Sequence, residues 1–316
     1  MTLTRRALCR SAAAVVVGTL TGCGESRYRG PERTITIAGG QSGGIYLEVA
    51  ELLAHEVSLV EPRLHCTAIR TRGSVENVDR INSGSADVGV CQSDVALTAI
   101  EGTTPFVGAL QVRGIGRIYE DYLQIVVRAD SDIRSVDDLE GRRVSLGAAR
   151  SGTEVTSKRL IEAAGLQVTE KHESLDDAAA ALAGSRVDAV IWCGGIPTPV
   201  LTKLHAEVGI RLLPLTEALP ALREQYGISY QQVPIPAGGY GKPGTQTIGV
   251  ANLLMCGRSL PNDVVAAITG VLVRHATQLV PPQALGTQFL DQRALICLLG
   301  VPMHPGAASA YRQLHG

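Results

Sequence analysis

Gly39-Gly40-Gln41-Ser42-Gly43-Gly44 follows the β-branched run Thr34–Ala38 and opens the helix-period segment Ile45–Val57. Gly147-Ala148-Ala149-Arg150-Ser151-Gly152-Thr153 repeats that placement between Arg143–Leu146 and Glu154–Ala164. Each turn has a matching second half. Gly84-Ser85-Ala86-Asp87-Val88-Gly89-Val90-Cys91 lies downstream of the first, and Gly184-Ser185-Arg186-Val187-Asp188-Ala189-Val190-Ile191 downstream of the second. In both, a glycine ends a helix, a polar residue turns the chain and an aspartate begins an apolar strand. The repetition reads as one α/β design used twice. Turns of this kind at the carboxyl ends of strands place their polar groups in the crevice between two sheets.

Working outward, further strands are expected at Leu64–Arg70, Ala86–Cys91, Leu123–Arg128, Val187–Trp192, Ile210–Pro214 and Thr247–Met255. Helical periods separate them: Val49, Leu52, Leu53 and Val57 share one face, as do Val155, Leu160 and Ile161. Alternating strands and helices predict βαβ units and mainly parallel sheets. A chain of 316 residues suits two lobes, at roughly 100–200 residues per domain. The long extended runs 123–128 and 247–255 read as hinge strands. Residues 34–122 plus 256–316 then form a discontinuous lobe I and residues 129–246 lobe II.

Composition narrows the function classes. Lys and Arg total 29 against 30 Asp and Glu, and no basic stripe interleaves with aromatics, so nucleic-acid binding is not expected. At the N-terminus, Arg5, Arg6 and Arg10 precede the small apolar run Ser11–Leu20 and the tetrapeptide Leu20-Thr21-Gly22-Cys23. Residues 1–22 read as a signal peptide, because the run falls far short of the ~20 residues that cross a bilayer core. Leu20–Cys23 resembles a lipobox, which makes Cys23 the lipidation site and residues 23–33 a tether. Arg5-Arg6 loosely resembles a twin-arginine export signal. The expected location is the outer face of the cell membrane.

Cys66, Cys91, Cys193, Cys256 and Cys297 remain; an odd set cannot all pair, and most sit in apolar runs where cysteine behaves as a small hydrophobe. No Cys-x-x-Cys or histidine-rich spacing suggests a metal. None of His55, His65, His172, His205, His275, His304 or His315 lies in a Gly/Ser turn beside a nucleophile. Gly-x-Ser-x-Gly is not met around Ser151, and no phosphate-cradle signature is present. Catalysis, cofactors and nucleotide binding are therefore not expected.

A Gly/Ser turn at a helix N-terminus leaves backbone N–H groups free at the positive end of the helix dipole, which suits a carboxylate or phosphate. Two turns, Gly39–Gly44 and Ser151-Gly152-Thr153, are expected to face the crevice. Arg72-Gly73-Ser74-Val75-Glu76-Asn77 and Cys91-Gln92-Ser93-Asp94 open two more helices towards it. Asn77 and Gln92 carry amides that both donate and accept.

Gly39–Tyr46, Gly73–Asn77, Ala86–Asp94, Ser151–Glu154 and Gly195-Ile-Pro-Thr-Pro199 together resemble the TAXI family of solute receptors of TRAP transporters. The resemblance covers nearly the whole chain after the leader. It implies a bilobed type II periplasmic-binding-protein fold, two α/β domains joined by a two-strand hinge. It further implies membrane permease subunits as partners and a small anionic ligand such as glutamate, glutamine or a dicarboxylate or keto acid. A receptor for another transporter or a sensor, with an aromatic or sulfonated ligand, is the alternative. Carried over by position, Gly40, Ser42, Gly43, Gly44, Tyr46, Ser74, Asn77, Gln92, Ser93, Ser151, Gly152 and Thr153 are expected ligand contacts. Ile196, Pro197 and Thr198 are expected to line the second lobe. A monomer without cofactor is expected. Two departures bear on the ligand: Leu47-Glu48 stands where the family has Tyr-Pro, and Arg150 where it has glycine. Facing inward, Glu48 would repel an anion and Arg150 attract one.

Overall fold

A computed structural model describes residues 28–240 and 242–315. The leader 1–22 and the Cys23 assignment lie outside the described residues. The part of the expected tether that is described is pinned. Tyr28 is buried against the first core, and its N–H donates to Glu61 Oε2 at 2.7 Å.

The first half runs β1 (Arg33–Ala38), α1 (Ile45–Val60), β2 (Leu64–Ile69), α2 (Ser74–Ser83), β3 (Val88–Gln92) and α3 (Ser93–Glu101). β4 (Val112–Arg128) then leads into β5 (Arg143–Ser145), α4 (Gly152–Ala163), β6 (Thr169–Lys171), α5 (Leu175–Ala183) and β7 (Ala189–Gly194). α6 (Pro199–Val208), β8 (Ile210–Leu212), α7 (Leu219–Tyr226), β9 (Tyr230–Pro234) and β10 (Gln246–Gly257) follow. The chain closes with α8 (Asn262–Arg274), α9 (Gln292–Leu295) and α10 (Pro305–His315).

All strands belong to one sheet, ordered β2-β1-β3-β10-β4-β7-β5-β6, with β8 on β4 and β9 on β10. The expectation of mainly parallel sheets needs correction. Only the outer trios, β2-β1-β3 and β6-β5-β7, are parallel. The middle is antiparallel, because β4 and β10 run alongside each other in opposite directions and each joins a trio. A hinge of two long strands requires that mixture: the chain must leave the first lobe and come back.

Helices cover both faces of the sheet at each end. In the first lobe, α1, α8 and α10 pack Val49, Leu53, Ile268 and Tyr311 on one face, and α2 and α3 pack Val75, Val78, Val95 and Ala99 on the other. In the second lobe, α4 and α7 place Leu160, Ile161 and Leu222 opposite Leu175, Leu182, Leu201 and Leu204 of α5 and α6. β4 contributes Ile115, Ile118 and Tyr119 to the first core and Leu123, Ile125 and Val127 to the second. β10 does the same in reverse with Ile248 and Val250, then Leu254 and Cys256. The cores change over at Glu120–Tyr122 and Ala251–Asn252, where the pairing of β10 with β4 also shifts register between Asn252 and Leu253.

Candidate functional site

The carboxyl ends of β1, β2, β3, β5 and β7 converge on a cavity with an empty volume of about 380 Å³, its mouth included. Gly40, Gln41, Gly44, Ile45, Tyr46, Arg72, Gly73, Ser74 and Gln92 line it from the first lobe. Ser151, Gly152, Thr153, Trp192, Cys193, Gly194 and Gly195 line it from the second. The echo in the sequence therefore corresponds to one cavity with two walls.

Local chemistry fixes the walls. α1 and α2 begin after Gly44 and Gly73, and neither helix has a side chain bonded to its first N–H groups. Those donors point along the positive end of each dipole. α4 differs, because Ser151 Oγ accepts the Glu154 N–H at 3.0 Å. Behind the wall, Ser74 Oγ accepts the Gln92 N–H at 3.1 Å and meets the Tyr46 hydroxyl at 3.2 Å. The Tyr46 hydroxyl also donates to Asn252 Oδ1. Burial raises the Tyr46 phenol well above its ordinary range. Among the lining residues, Arg72 carries the one permanent charge, and its guanidinium is held by Glu76 at 2.7 Å. Against the burial that would raise it, bonds from Arg72 and Arg80 hold Glu76 down at about 2.

The walls touch directly. The Glu76 N–H of α2 donates to the Arg150 carbonyl at 3.2 Å, and the Leu175 N–H of α5 donates to Gln41 Oε1 at 3.2 Å. Each lobe thus satisfies an end of a helix in the other. Gly152 is pressed so close that a Cβ there would sit 2.6 Å from Ser74 Oγ and nearer still to Gln92 Oε1. Below the cavity, buried Asp94 joins the lobes. Its Oδ2 accepts from Tyr230 at 2.7 Å, Arg159 at 3.2 Å and Thr156 at 3.3 Å, while Arg159 also donates to Thr98 at 2.6 Å.

Of the residues expected at the site, Gly40, Gly44, Tyr46, Ser74, Gln92, Ser151, Gly152 and Thr153 border the cavity. Others do not. Asn77 is consumed in the scaffold, with Nδ2 donating to the Gly39 and Val90 carbonyls at 2.6 and 2.7 Å and Oδ1 accepting from Thr71 at 2.6 Å. Ser93 is buried beneath β3 with no partner for its hydroxyl. Ser42 and Gly43 lie outside the lining set, and Gly43 stands next to Val200. Ile196 packs into the second lobe's core, and Pro197 is off the cavity. Thr198 accepts from Trp192 Nε1 at 3.1 Å and donates to the Gly195 carbonyl at 2.7 Å, so it orients a wall residue from behind. Glu48 bonds Gln283 and faces away, and Arg150 reaches across the seam to Asp79. Neither departure sets the charge of the cavity. Gln41, Ile45, Arg72, Gly73 and Gly195 also line it, from stretches read towards the crevice without being assigned as contacts, while Trp192, Cys193 and Gly194 were missed. The end of β7 carried the signal, since its echo of β3 places Trp192–Gly194 where the first lobe has Gln92.

A model of the NMT1-like family matches residues 37–313. The chain belongs to the NMT1-like family. Solved structures agree with the fold at low identity. A protein from Bordetella bronchiseptica RB50 is 14% identical, with 91% of this chain and 100% of that chain covered and a TM-score of 0.58. The alkanesulfonate-binding protein SsuA from Xanthomonas axonopodis pv. citri, bound to MOPS, is 18% identical over 90% of this chain and 84% of that chain, TM-score 0.51. A periplasmic transporter is 10% identical over 90% and 93%, TM-score 0.54. This NMT1-like chain has the bilobed periplasmic-binding-protein fold, two α/β domains joined by two strands. Among its described residues no helix is long and apolar enough to cross a membrane.

Proposed function

We propose that the chain is an extracytoplasmic solute receptor of the TAXI type. Its lobes close on a small anionic metabolite, such as glutamate, glutamine or a dicarboxylate or keto acid, and it delivers that solute to the membrane subunits of a TRAP transporter. One observation carries the reading: two helix N-termini without side-chain caps, those of α1 and α2, meet at a single cavity between the lobes. The first-turn N–H groups left over, the Glu76 N–H being taken by the Arg150 carbonyl, would take an anion's oxygens without a full countercharge.

In this reading the ligand touches both walls and so stabilises only the closed arrangement. The pivot lies at Glu120–Tyr122 and Ala251–Asn252, between lobes drawn as 34–122 plus 256–316 and 129–246. The segments 123–128 and 247–255 serve as its strands. Export by the leader 1–22 and lipidation of Cys23 would hold a monomeric receptor on the outer face of the membrane. No cofactor or catalytic step is invoked.

A second reading has an observation of its own. The Trp192 ring forms part of the wall, a flat apolar surface that an aromatic or sulfonated ligand would use, and such a ligand would serve another transporter or a sensor. The test is mass spectrometry of solute co-purified with protein expressed from Gly24 onward, followed by calorimetry with glutamate, glutamine, 2-oxoglutarate, succinate and MOPS. Saturable binding of a carboxylate is expected. Binding of MOPS with no carboxylate bound would replace the first reading by the second, and no binding at all would remove both.

A further inference from the structure

The cavity wall continues inward to a carboxyl group that anion capture by the helix ends does not use. Gln92 Nε2 donates to Asp121 Oδ2 at 3.0 Å, and the two residues are 1% and 0% exposed. Gln92 Oε1 is thereby the end turned to the cavity, against Gly152 and Thr156. An ionised carboxylate only accepts, whereas a protonated carboxyl also donates. Ionised Asp121 therefore holds the amide nitrogen towards itself. Protonated on Oδ2, it donates to Oε1 of a reversed amide, and Nε2 then faces the cavity. Thr156 accommodates both orientations. Its hydroxyl, 3.4 Å from Gln92 Oε1 and 3.3 Å from Asp94 Oδ2, can donate to Asp94 while accepting from the reversed Nε2.

We infer that Asp121 is a positioning residue that sets, through Gln92, which pole of the amide meets the ligand, so that proton uptake at Asp121 accompanies capture of a carboxylate oxygen there. The inference rests on the interlobe cavity being the ligand site. No bond to the ligand forms or breaks; one proton passes from solvent to Asp121 and the amide turns. A ligand that offers an N–H or ammonium at the same point favours the ionised, carbonyl-out form instead.

Among the described residues around it, no cation is free to pin Asp121 ionised. Glu120 of β4 and Asp94 of α3 oppose its charge, and it in turn helps to keep Tyr46 of α1, Tyr119 of β4 and Cys193 of β7 protonated and neutral. Arg117 is engaged by Glu120 at 3.2 Å and Arg159 by Asp94 at 3.2 Å. Among the described residues, neither Asp121 Oδ1 nor Asn252 Nδ2 has a hydrogen-bond partner. Burial pushes the Asp121 carboxyl up to about 7 against the pull of the Gln92 amide, which brings the switch into the neutral range.

The test uses the protein from Gly24 onward. In ligand-free protein, the Gln92 side-chain amide resonance, identified by its loss in Gln92→Ala, is expected to move in one step between mildly acidic and mildly alkaline pH. The step is expected to vanish in Asp121→Asn. In calorimetry, succinate affinity is expected to fall about tenfold per pH unit above the midpoint, the slope for one linked proton. Glutamine, whose amide can donate, is expected to show a weaker or inverted slope. Asp121→Asn should flatten the succinate slope, and Gln92→Met, which keeps Asp121 and removes the amide, should flatten it too. An immobile Gln92 signal, or an unchanged slope in either variant, overturns the inference. If the resonance steps but neither compound binds, the ligand class is wrong and the control of Gln92 by Asp121 stands. If succinate binds with no step, the reverse holds.

Discussion

β2-β1-β3 in the first lobe and β6-β5-β7 in the second are the same parallel trio, and each is clamped the same way. Asp87 Oδ2 accepts the Thr36 N–H at 2.8 Å while its own N–H returns to the Thr36 carbonyl; Asp188 does both with Arg143. The trios part company at the helices. α1 and α2 start on Gly44 and Gly73 without a capping side chain, whereas α4 and α5 start on Ser151 and Ser174, whose hydroxyls accept from Glu154 and Asp177. In these two pairs of helices, the first lobe offers no capping side chain of its own, whereas the second supplies a serine at each start. In the proposed reading, the first lobe of this shared design would do the gripping and the second the closing.

The sharpest way to break that division is at the seam. Arg159→Met leaves Asp94 buried without its cation, a loss of roughly 3 kcal/mol when one partner of a buried pair is removed. The molecule is expected to relieve it by opening, read as a larger radius of gyration and affinity lower on the order of 100-fold. Next comes Gly152→Ala, whose Cβ meets Ser74 and Gln92. Overpacking of about 1–3 kcal/mol should fall on the closed form alone, so binding weakens while the melting temperature of an open, ligand-free protein holds.

The caps test the comparison in both directions. Ser151→Ala should cost about 1 kcal/mol of stability through the lost N-cap, seen as a lower melting temperature. Gly44→Ser, at an extended backbone position, should give α1 a cap of its own, with stability up by a few tenths of a kcal/mol and anion binding weakened. If both serine changes acted alike on binding, the two lobes would not differ as described. Smallest is Arg150→Gly. Arg150 has φ of 65° and pairs with half-exposed Asp79. Relief of the left-handed strain and loss of a surface pair worth about 0–1 kcal/mol should nearly cancel in the denaturation midpoint.

The duplicated turn was legible because glycine and serine at a strand end have few other uses, and the cavity sits where the echo placed it. The first half of β4 was not. Val112-Arg-Gly-Ile-Gly-Arg-Ile-Tyr119 lacks alternation, and Gly114 and Gly116 look like breakers. In the fold they let Leu298 and Tyr311, far along the chain, lie against the strand. β9 and β6 were missed for a related reason: Tyr230–Pro234 and Thr169–Lys171 are edge pieces stabilised by pairing with β10 and β5 rather than by their own pattern. In the site, Asn77 and Ser93 are expected from their helix-opening turns and the family resemblance, yet neither says which way a buried amide or hydroxyl turns. Trp192 was hidden because β7 is buried on both faces, so no alternation marked the side that meets the cavity.

The crossing strands carry a last consequence. Since β4 and β10 supply side chains to both cores, neither half owns a complete hydrophobic interior. A cut through 120–122 would strand an unpaired sheet margin on each fragment, inviting aggregation rather than two autonomous domains. Thermal melting should accordingly proceed as a single transition, even if the lobes hinge on ligand as proposed.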